Sequence, residues 1–369
     1  MINLKKLGLS ALAGSLVAVS AQAGEMSVTG SANVTYKTGN EAVSKNGGKT
    51  IGSDRDVSFT GTGEMDNGWT FTVSTLLDDT YSVSSSYTSL TMGSLGTLTA
   101  GSDFGGASGK YDEEVPQAYE QTSDAQQNSA NLVGNQMDSN SIVYNSPSFD
   151  ISGLSLSMDL EFSPNANGVG AGDGGTTSKV AAADGNSKGN FGKGYGLGAT
   201  AKYEGLTLGA YGNERENRDA TVGVLKTKDA FEGVWYAKYS LGPVSIGYSE
   251  SYLDNGLNTA DTAATDPVAA KGERILGGIF SSESMSVAFN VNENLSVSYT
   301  STEDTYDDQS NTKGGVEVID VTQDSTAIQI AYSMGAMSVK AYQMETKNPG
   351  YDNDAAKENV TEIALGLAF

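Results

Sequence analysis

The chain has 369 residues and a formal net charge of −23, with 46 glycines and neither cysteine nor histidine. The lack of cysteine excludes disulfides, thiolate catalysis and cysteine metal sites, and the lack of histidine removes the commonest general base and transition-metal ligand. A polyanion does not have the basic surface that nucleic-acid binding requires, and it attracts cations instead. The length fits two ordinary domains or one large barrel.

The N-terminal segment differs in composition from the rest of the chain. Two lysines precede an apolar run from Leu7 to Val19, and Ala21-Gln22-Ala23 has the small–x–small pattern of a cleavage site. We therefore expect a secretory signal peptide over residues 1–23 and a mature chain over residues 24–369. Beyond the signal peptide, no apolar run approaches the roughly 20 residues that a membrane-spanning helix needs.

An alternation with a period of two begins at Met26. Val34 and Tyr36 fall on one face of the predicted strand, and Thr35 and Lys37 fall on the other. The same pattern resumes near residue 56 and continues to a predicted hairpin turn at Asp66-Asn67-Gly68, where Asn-Gly is a strong turn signal.

The rest of the chain repeats this rhythm, and about sixteen strands are predicted. One of the short turns is expected at Pro147-Ser148-Phe149, and the four arginines are expected in loops or at strand ends. The short turns alternate with long polar loops at 38–53, 79–84, 103–140, 164–193, 215–229, 253–280, 304–321 and 346–357. This alternation is typical of a transmembrane antiparallel up-and-down β-barrel, whereas a soluble sandwich does not separate its loops by length. Closure into a barrel satisfies every backbone hydrogen bond in hydrocarbon.

The last strand, residues 358–369, gives the clearest pattern. Ile363, Leu365, Leu367 and Phe369 share one face, which is predicted to face lipid, and Glu362 lies on the other. Aromatic residues near the predicted strand ends are expected to form two interfacial girdles. They are Tyr36, Trp69, Tyr87, Tyr144, Phe162, Tyr195, Tyr203, Trp235, Tyr239, Tyr248, Tyr252, Tyr299 and Tyr332.

Several stretches, in this order, resemble a Gram-negative general porin of the alphaproteobacterial, sixteen-stranded kind. They are M-S-V-T-G-S-A-N-V, D-N-G-W-T-F, G-S-L-G-T-L-T-A-G-S, S-I-V-Y-N-S-P-S-F and the terminal A-F. The resemblance implies an outer-membrane barrel, a homotrimer, and a third loop that folds into the barrel and narrows it. By position that loop is 103–140.

The resemblance also implies that acids of the third loop face basic side chains on the opposing wall. The candidate constriction residues are Asp112, Glu113, Glu114, Glu120, Asp124 and Lys110. The chain has no arginine ladder, but the alternation places several other charged residues on the lumen wall. These are Lys37, Lys202, Lys238, Lys340, Asp159 and Glu161.

The predicted function is a water-filled, cation-preferring channel for passive diffusion of small hydrophilic solutes and ions, because carboxylate rings attract cations. The expected partners are outer-membrane lipid, those solutes and two further copies of the chain. The alternative function is a β-barrel surface protein whose long outer loops bind a partner, as an adhesin or receptor does. The alternative for the site is that loop 103–140 is a solvated surface loop with no constriction. An outer-membrane hydrolase is disfavoured, because a serine nucleophile would have no histidine base.

No cofactor is expected and no metal site is assigned. Acidic clusters in the outer loops can bind Ca²⁺, although such clusters are more often merely solvated. Gly196 to Ala201 matches a dinucleotide-binding motif by letters, but it lies within a predicted strand with no helix after it. We therefore expect no nucleotide site there.

Overall fold

The computed structural model describes residues 24–40, 48–112, 114–122, 137, 139–166, 191–217, 221–222, 225–254, 256–258, 279–307 and 320–369. The predicted signal peptide lies outside these residues. No helix within the described ranges is long and apolar enough to cross a membrane.

The described residues form a closed, antiparallel barrel of sixteen strands, as predicted. The first eight are β1 (Met26–Gly39), β2 (Gly48–Glu64), β3 (Thr70–Leu77), β4 (Val83–Thr91), β5 (Thr97–Ser102), β6 (Ser141–Asn145 with Phe149–Ile151), β7 (Leu154–Ser163) and β8 (Phe191–Tyr203). The other eight are β9 (Leu206–Asn217), β10 (Ala230–Leu241), β11 (Val244–Asp254), β12 (Ile279–Asn290), β13 (Leu295–Asp307), β14 (Val321–Met334), β15 (Met337–Lys347) and β16 (Glu358–Ala368). Three short segments, Thr221–Val222, Leu225–Thr227 and Leu257–Asn258, form a small separate sheet.

The barrel closes where β1 pairs with both β2 and β16. The last residue takes part in this closure, because the Phe369 amide donates to the Gly30 carbonyl (2.9 Å) and the Gly30 amide donates to the Phe369 carbonyl (2.8 Å). The Phe369 ring lies directly over Gly30, where any β-carbon would collide with it. A glycine at this position therefore allows the terminal aromatic ring to pack against the first strand.

The two faces of the strands differ as the alternation predicts. On β16, Ile363 and Leu367 are 50% and 47% exposed on the outside, whereas Val360 and Ala364 are buried inside. Most of the predicted girdle aromatics also face outward. Tyr87 is an exception, because it pairs in register with Ser74, whose hydroxyl contacts Thr60 inside the barrel.

Three local predictions are wrong. The first barrel hairpin extends further than expected, since Gly39 pairs with Gly48 and the loop shrinks to residues 40–47. The turn after β6 lies at Ser152-Gly153, where both residues have positive φ (52° and 88°), rather than at Pro147. Pro147 instead interrupts β6, because proline has no amide hydrogen to donate to a strand partner. Arg55 lies inside β2, not at its end.

An unexpected row of carboxylates crosses the outside of four adjacent strands. Glu250 pairs directly with Glu283, Glu283 with Glu303, and Glu303 with Asp324. These residues share the outward face with Tyr299, which is 46% exposed. Like charges directly opposite each other on neighbouring strands are destabilising.

We expect the substitution Glu303→Gln to stabilise the barrel, because Glu303 has a carboxylate on each side. The gain should be about 0.2 to 1 kcal/mol per relieved pair at low ionic strength and should shrink in salt. Urea unfolding in a non-ionic detergent, with and without added salt, would measure it, because urea carries no charge. Glu345→Gln is the matched control, since Glu345 contacts Lys357 (2.9 Å) and should give no gain. A lower unfolding midpoint for Glu303→Gln would contradict the prediction.

Candidate functional site

The third loop spans residues 103–140 and is called loop 3 below; its described residues enter the barrel interior. Its two stems are joined where the Ser139 hydroxyl donates to the Asp103 carboxylate (2.8 Å) and accepts from the Asp103 amide (3.0 Å). Gly105 and Gly106 both have positive φ, which allows a tight change of direction before a short 3₁₀ turn at Ser108–Lys110. The chain then continues along the inner wall.

The root of loop 3 binds one buried carboxylate on β7. Asp159 accepts hydrogen bonds from the Tyr111 hydroxyl (2.6 Å), the Lys110 ammonium (2.7 Å) and the Asn145 amide (2.6 Å). Tyr111 is fully buried, and burial together with the neighbouring Asp159 raises the pKa of its hydroxyl well above the ordinary value. Tyr111 therefore stays protonated and remains a donor.

Inward-facing glycines make room for the loop. Gly194, Gly196 and Gly198 alternate along the inner face of β8. A β-carbon on Gly198 would lie 2.5 Å from Tyr111 Cζ, and one on Gly194 would collide with Met137 of the loop. On β11, Gly247 leaves space for a loop proline in the same way. Only glycine lets the backbone and rings approach this closely.

The middle of loop 3 is held by successive strands of the wall. Glu114 forms an ion pair with Lys238 of β10. The Ala118 amide donates to the Ser298 hydroxyl of β13 (2.9 Å). The loop thus runs along the inner wall from β7 towards β14, and then turns back so that Thr122 contacts β13.

Among the described residues of the loop, Tyr119 reaches furthest along the wall, and it is called the tip below. Its amide donates to the Gln329 side chain of β14 (2.8 Å), and its hydroxyl donates to the Glu362 carboxylate of β16 (2.7 Å). Tyr342 of β15 also donates to Glu362 (3.2 Å), and the two tyrosine rings lie 5.7 Å apart. Lys340 Nζ lies 5.1 Å from the centre of the Tyr119 ring.

Burial shows which part of the wall stays open. The inward hydroxyl groups of β11–β13, which lie along the course of the loop, are almost completely buried: Ser249, Ser284, Ser286, Ser298, Thr300 and Thr302. Those of β1–β5 are half-buried or exposed, apart from Ser74: they include Thr35, Ser58, Thr60, Thr72, Ser89 and Thr99. The open space in the barrel therefore lies between loop 3 and β1–β5. A polar cavity of about 340 Å³ borders the loop, and Asp112, Glu114 and Tyr119 are among its lining residues.

The open wall carries more acids than bases. Asp54, Asp56 and Glu64 of β2 and Lys37 of β1 have inward register positions. Lys37 pairs in register with Glu362 at the closing seam. The remaining inward positions of β1–β5 are largely serine and threonine.

The predicted site residues lie in different surroundings. Asp112 and Glu114 border the cavity, and the Glu120 carbonyl accepts from Gln329. Lys110 belongs to loop 3 and forms an ion pair with Asp159 of β7. Lys238 and Lys340 contact the loop from the wall that it lies against and do not face it from across the lumen. Lys202 has an inward position near the turn after β8. Glu113 and Asp124 lie outside the described residues.

Two predicted wall acids face inward but have little contact with solvent. Asp159 and Glu161 are each 4% exposed, because loop 3 and Tyr211 cover them. Glu161 accepts hydrogen bonds from Ser141 (3.2 Å) and Tyr211 (2.8 Å). These acids hold the loop and its neighbours in place.

The sequence reasoning missed both tyrosines of loop 3. Tyr111 and Tyr119 carry the contacts at its root and tip, yet nothing near them in the sequence marks them. A usable signal was the alternate glycines at 194, 196 and 198, which indicate a strand face that must accommodate another segment. The Ca²⁺ expectation stays a prediction; within the ranges that the structure describes, no three acidic side chains lie close enough to hold a metal ion.

Comparisons with known proteins agree with this architecture. No protein of curated function matches the sequence. The fold is similar to that of Salmonella typhi OmpF, with a TM-score of 0.65, 10% identity, and coverage of 94% of this chain and 98% of that one. An anion-selective porin from Comamonas acidovorans gives a TM-score of 0.61, 13% identity, and coverage of 94% and 99%.

A porin refined at 1.8 Å gives a TM-score of 0.60, 16% identity, and coverage of 94% and 100%. At these identities the similarities show the fold alone. The family model described as Gram-negative porin matches residues 8–369, nearly the whole chain. The chain therefore belongs to the Gram-negative porin family and forms an outer-membrane β-barrel channel.

Proposed function

We propose that the channel is water-filled, prefers cations and passes small hydrophilic solutes and ions by diffusion. The observation that carries the proposal is the position of loop 3, which covers much of the wall from β7 to β16 and leaves a hydroxyl-rich wall at β1–β5. Serine and threonine both donate and accept hydrogen bonds, so they can replace part of the hydration of a passing solute.

The cation preference rests on the open wall. Three acids, Asp54, Asp56 and Glu64, share that wall with Lys37. On the loop side, Glu114 and Asp159 are compensated by Lys238 and Lys110. The acids of β2 therefore contribute a negative field to the channel, which Lys37 only partly offsets.

We further propose that the protein has no catalytic role and that three copies assemble in outer-membrane lipid. A trimer form is described for OmpT of Vibrio cholerae, which has a similar fold (TM-score 0.58, 12% identity). The exposed apolar side chains outside the barrel can face lipid or a neighbouring copy.

Reversal potentials across planar bilayers in a KCl gradient test the ion preference. We expect cation selectivity for the wild type and a reduced cation-to-anion permeability ratio for the double variant Asp54→Asn/Asp56→Asn. A charge about 10 Å from a passing ion contributes about 0.4 kcal/mol in water, so the two changes together should lower the ratio about two-fold after screening. Glu303→Gln removes an acid from the outside and is the control. Anion selectivity of the wild type would refute the proposal.

A further inference from the structure

The contacts of loop 3 are ordered along the wall, and one of them lies at the leading end. Tyr111 binds Asp159 of β7 at the root, and Ala118 binds Ser298 of β13 further along. The Tyr119 hydroxyl reaches Glu362 of β16, after which the chain turns back towards β13. Among the described residues of loop 3, Tyr119 is thus the one that extends furthest round the barrel.

The place where Tyr119 binds is the boundary of the open space. Glu362 pairs in register with Lys37 of β1, the first strand of the open wall. A loop tip bound to Glu362 lies against the closing seam, whereas a tip released from it can move into the space in front of β1–β5. The position of the Tyr119 side chain therefore affects the cross-section of the channel.

We propose that the hydrogen bond from Tyr119 to Glu362 is the positioning contact that fixes the tip of loop 3 and so sets the width of the channel. The inference rests on the proposed function, in that the channel is taken to run between loop 3 and β1–β5. The inference adds to that function a specific residue pair, Tyr119 and Glu362, that holds the channel at a constant width.

The surroundings of Tyr119 suit this role. Its ring packs against a small buried cluster that includes Met344 and Val360, and Lys340 lies over the ring. Burial and the adjacent Glu362 raise the pKa of the Tyr119 hydroxyl well above its ordinary value, so the hydroxyl stays a donor at neutral pH. A carboxylate acceptor makes the bond stronger than one between neutral groups.

Single-channel recordings of Tyr119→Phe test the contact directly. The loss of a hydrogen bond to a charged group should raise the ratio of released to bound tip about ten-fold, and it should appear as more frequent substates or greater open-channel current noise. Tyr299→Phe, on the outside of the barrel, is the matched control and should record like the wild type. Noise in Tyr119→Phe equal to that of the wild type would overturn the proposal.

Two variants of the acceptor separate hydrogen bonding from general damage. Glu362→Gln keeps one oxygen that can accept from Tyr119 but loses the charge, so its noise should lie between that of the wild type and that of Tyr119→Phe. Glu362→Leu removes the acceptor and should reproduce the recordings of Tyr119→Phe. Equal behaviour of the two Glu362 variants would count against a positioning role for the bond.

A reversible crosslink provides an independent arm. The Thr122 and Thr302 hydroxyls lie 2.6 Å apart, and the chain has no cysteine of its own, so Thr122→Cys/Thr302→Cys introduces a single disulfide. In the Tyr119→Phe background, oxidation should restore quiet recordings and reduction should bring the noise back. If reduction of the disulfide left the current noise unchanged, motion of the loop tip could not be the source of that noise. A wild type that conducts no ions would instead refute the proposed function.

Discussion

The substitution Gly198→Val is expected to displace the root of loop 3 into the lumen and lower the single-channel conductance, while the barrel still forms. A β-carbon at residue 198 would lie 2.5 Å from Tyr111 Cζ and from its hydroxyl oxygen. Valine itself favours extended backbone, so the strand should tolerate it. The steric clash is therefore confined to the contact between β8 and Tyr111 of loop 3.

Tyr111 cannot easily move aside. Its ring stacks on Tyr211 with centroids 5.3 Å apart, lies 6.3 Å from Tyr236, and is completely buried. Overpacking at such a position costs about 1 to 3 kcal/mol, and more if Tyr111 also loses its bond to Asp159. Moving the loop root towards β1–β5 relieves the collision and narrows the open space.

Gly61→Val is the matched control for this experiment. Gly61 lies in β2, and no atom lies within 4 Å of where its β-carbon would be. This variant should keep the wild-type conductance, and both variants should show the far-ultraviolet circular dichroism of a folded barrel. Wild-type conductance in Gly198→Val would show that the close contact between Gly198 and Tyr111 does not set the position of the loop.

The fold was predictable because it depends on local patterns. Outward Ile363 and Leu367 alternate with inward Glu362 and Ala364, and that alternation follows from backbone geometry. The alternation of short turns with long loops along the chain indicated that neighbouring strands follow one another in an up-and-down barrel. The predicted position of the turn after β6 was wrong, because a proline such as Pro147 is found both in turns and at breaks within a strand. The sequence alone does not distinguish these two cases.

The site was predictable only in part, since alternation fixes the face of a residue but not what covers it. Alternation assigns Asp159 to the inner face, but its burial depends on Tyr111, which lies 48 residues away in sequence. Lys238 was assigned to the wall in the same way, but which part of the wall the loop contacts is a matter of tertiary packing. The alternate glycines of β8 carried this information, because a strand face without side chains must be filled from elsewhere.

Asp159→Ala is expected to be the most destabilising single change at the site. Asp159 is the common acceptor for Tyr111, Lys110 and Asn145, so its removal leaves three donors without this partner. Lys110 is half exposed and can recover water, so most of the loss should come from the two less exposed donors. Leaving two such donors unsatisfied costs about 2 to 6 kcal/mol.

Guanidinium unfolding in detergent would measure this loss, and hydrogen exchange over residues 103–122 would localise it to the loop. Asp159→Asn keeps one acceptor oxygen and should lie between Asp159→Ala and the wild type. Glu64→Ala removes an exposed lumen acid and should change the stability by less than about 0.5 kcal/mol. If Asp159→Ala unfolded at the same denaturant concentration as Glu64→Ala, the loop would be held by its packing against the glycines of β8 rather than by this carboxylate. Because Gly198→Val removes that packing and leaves Asp159 in place, comparing the two variants separates the contributions of shape and hydrogen bonding to the position of loop 3.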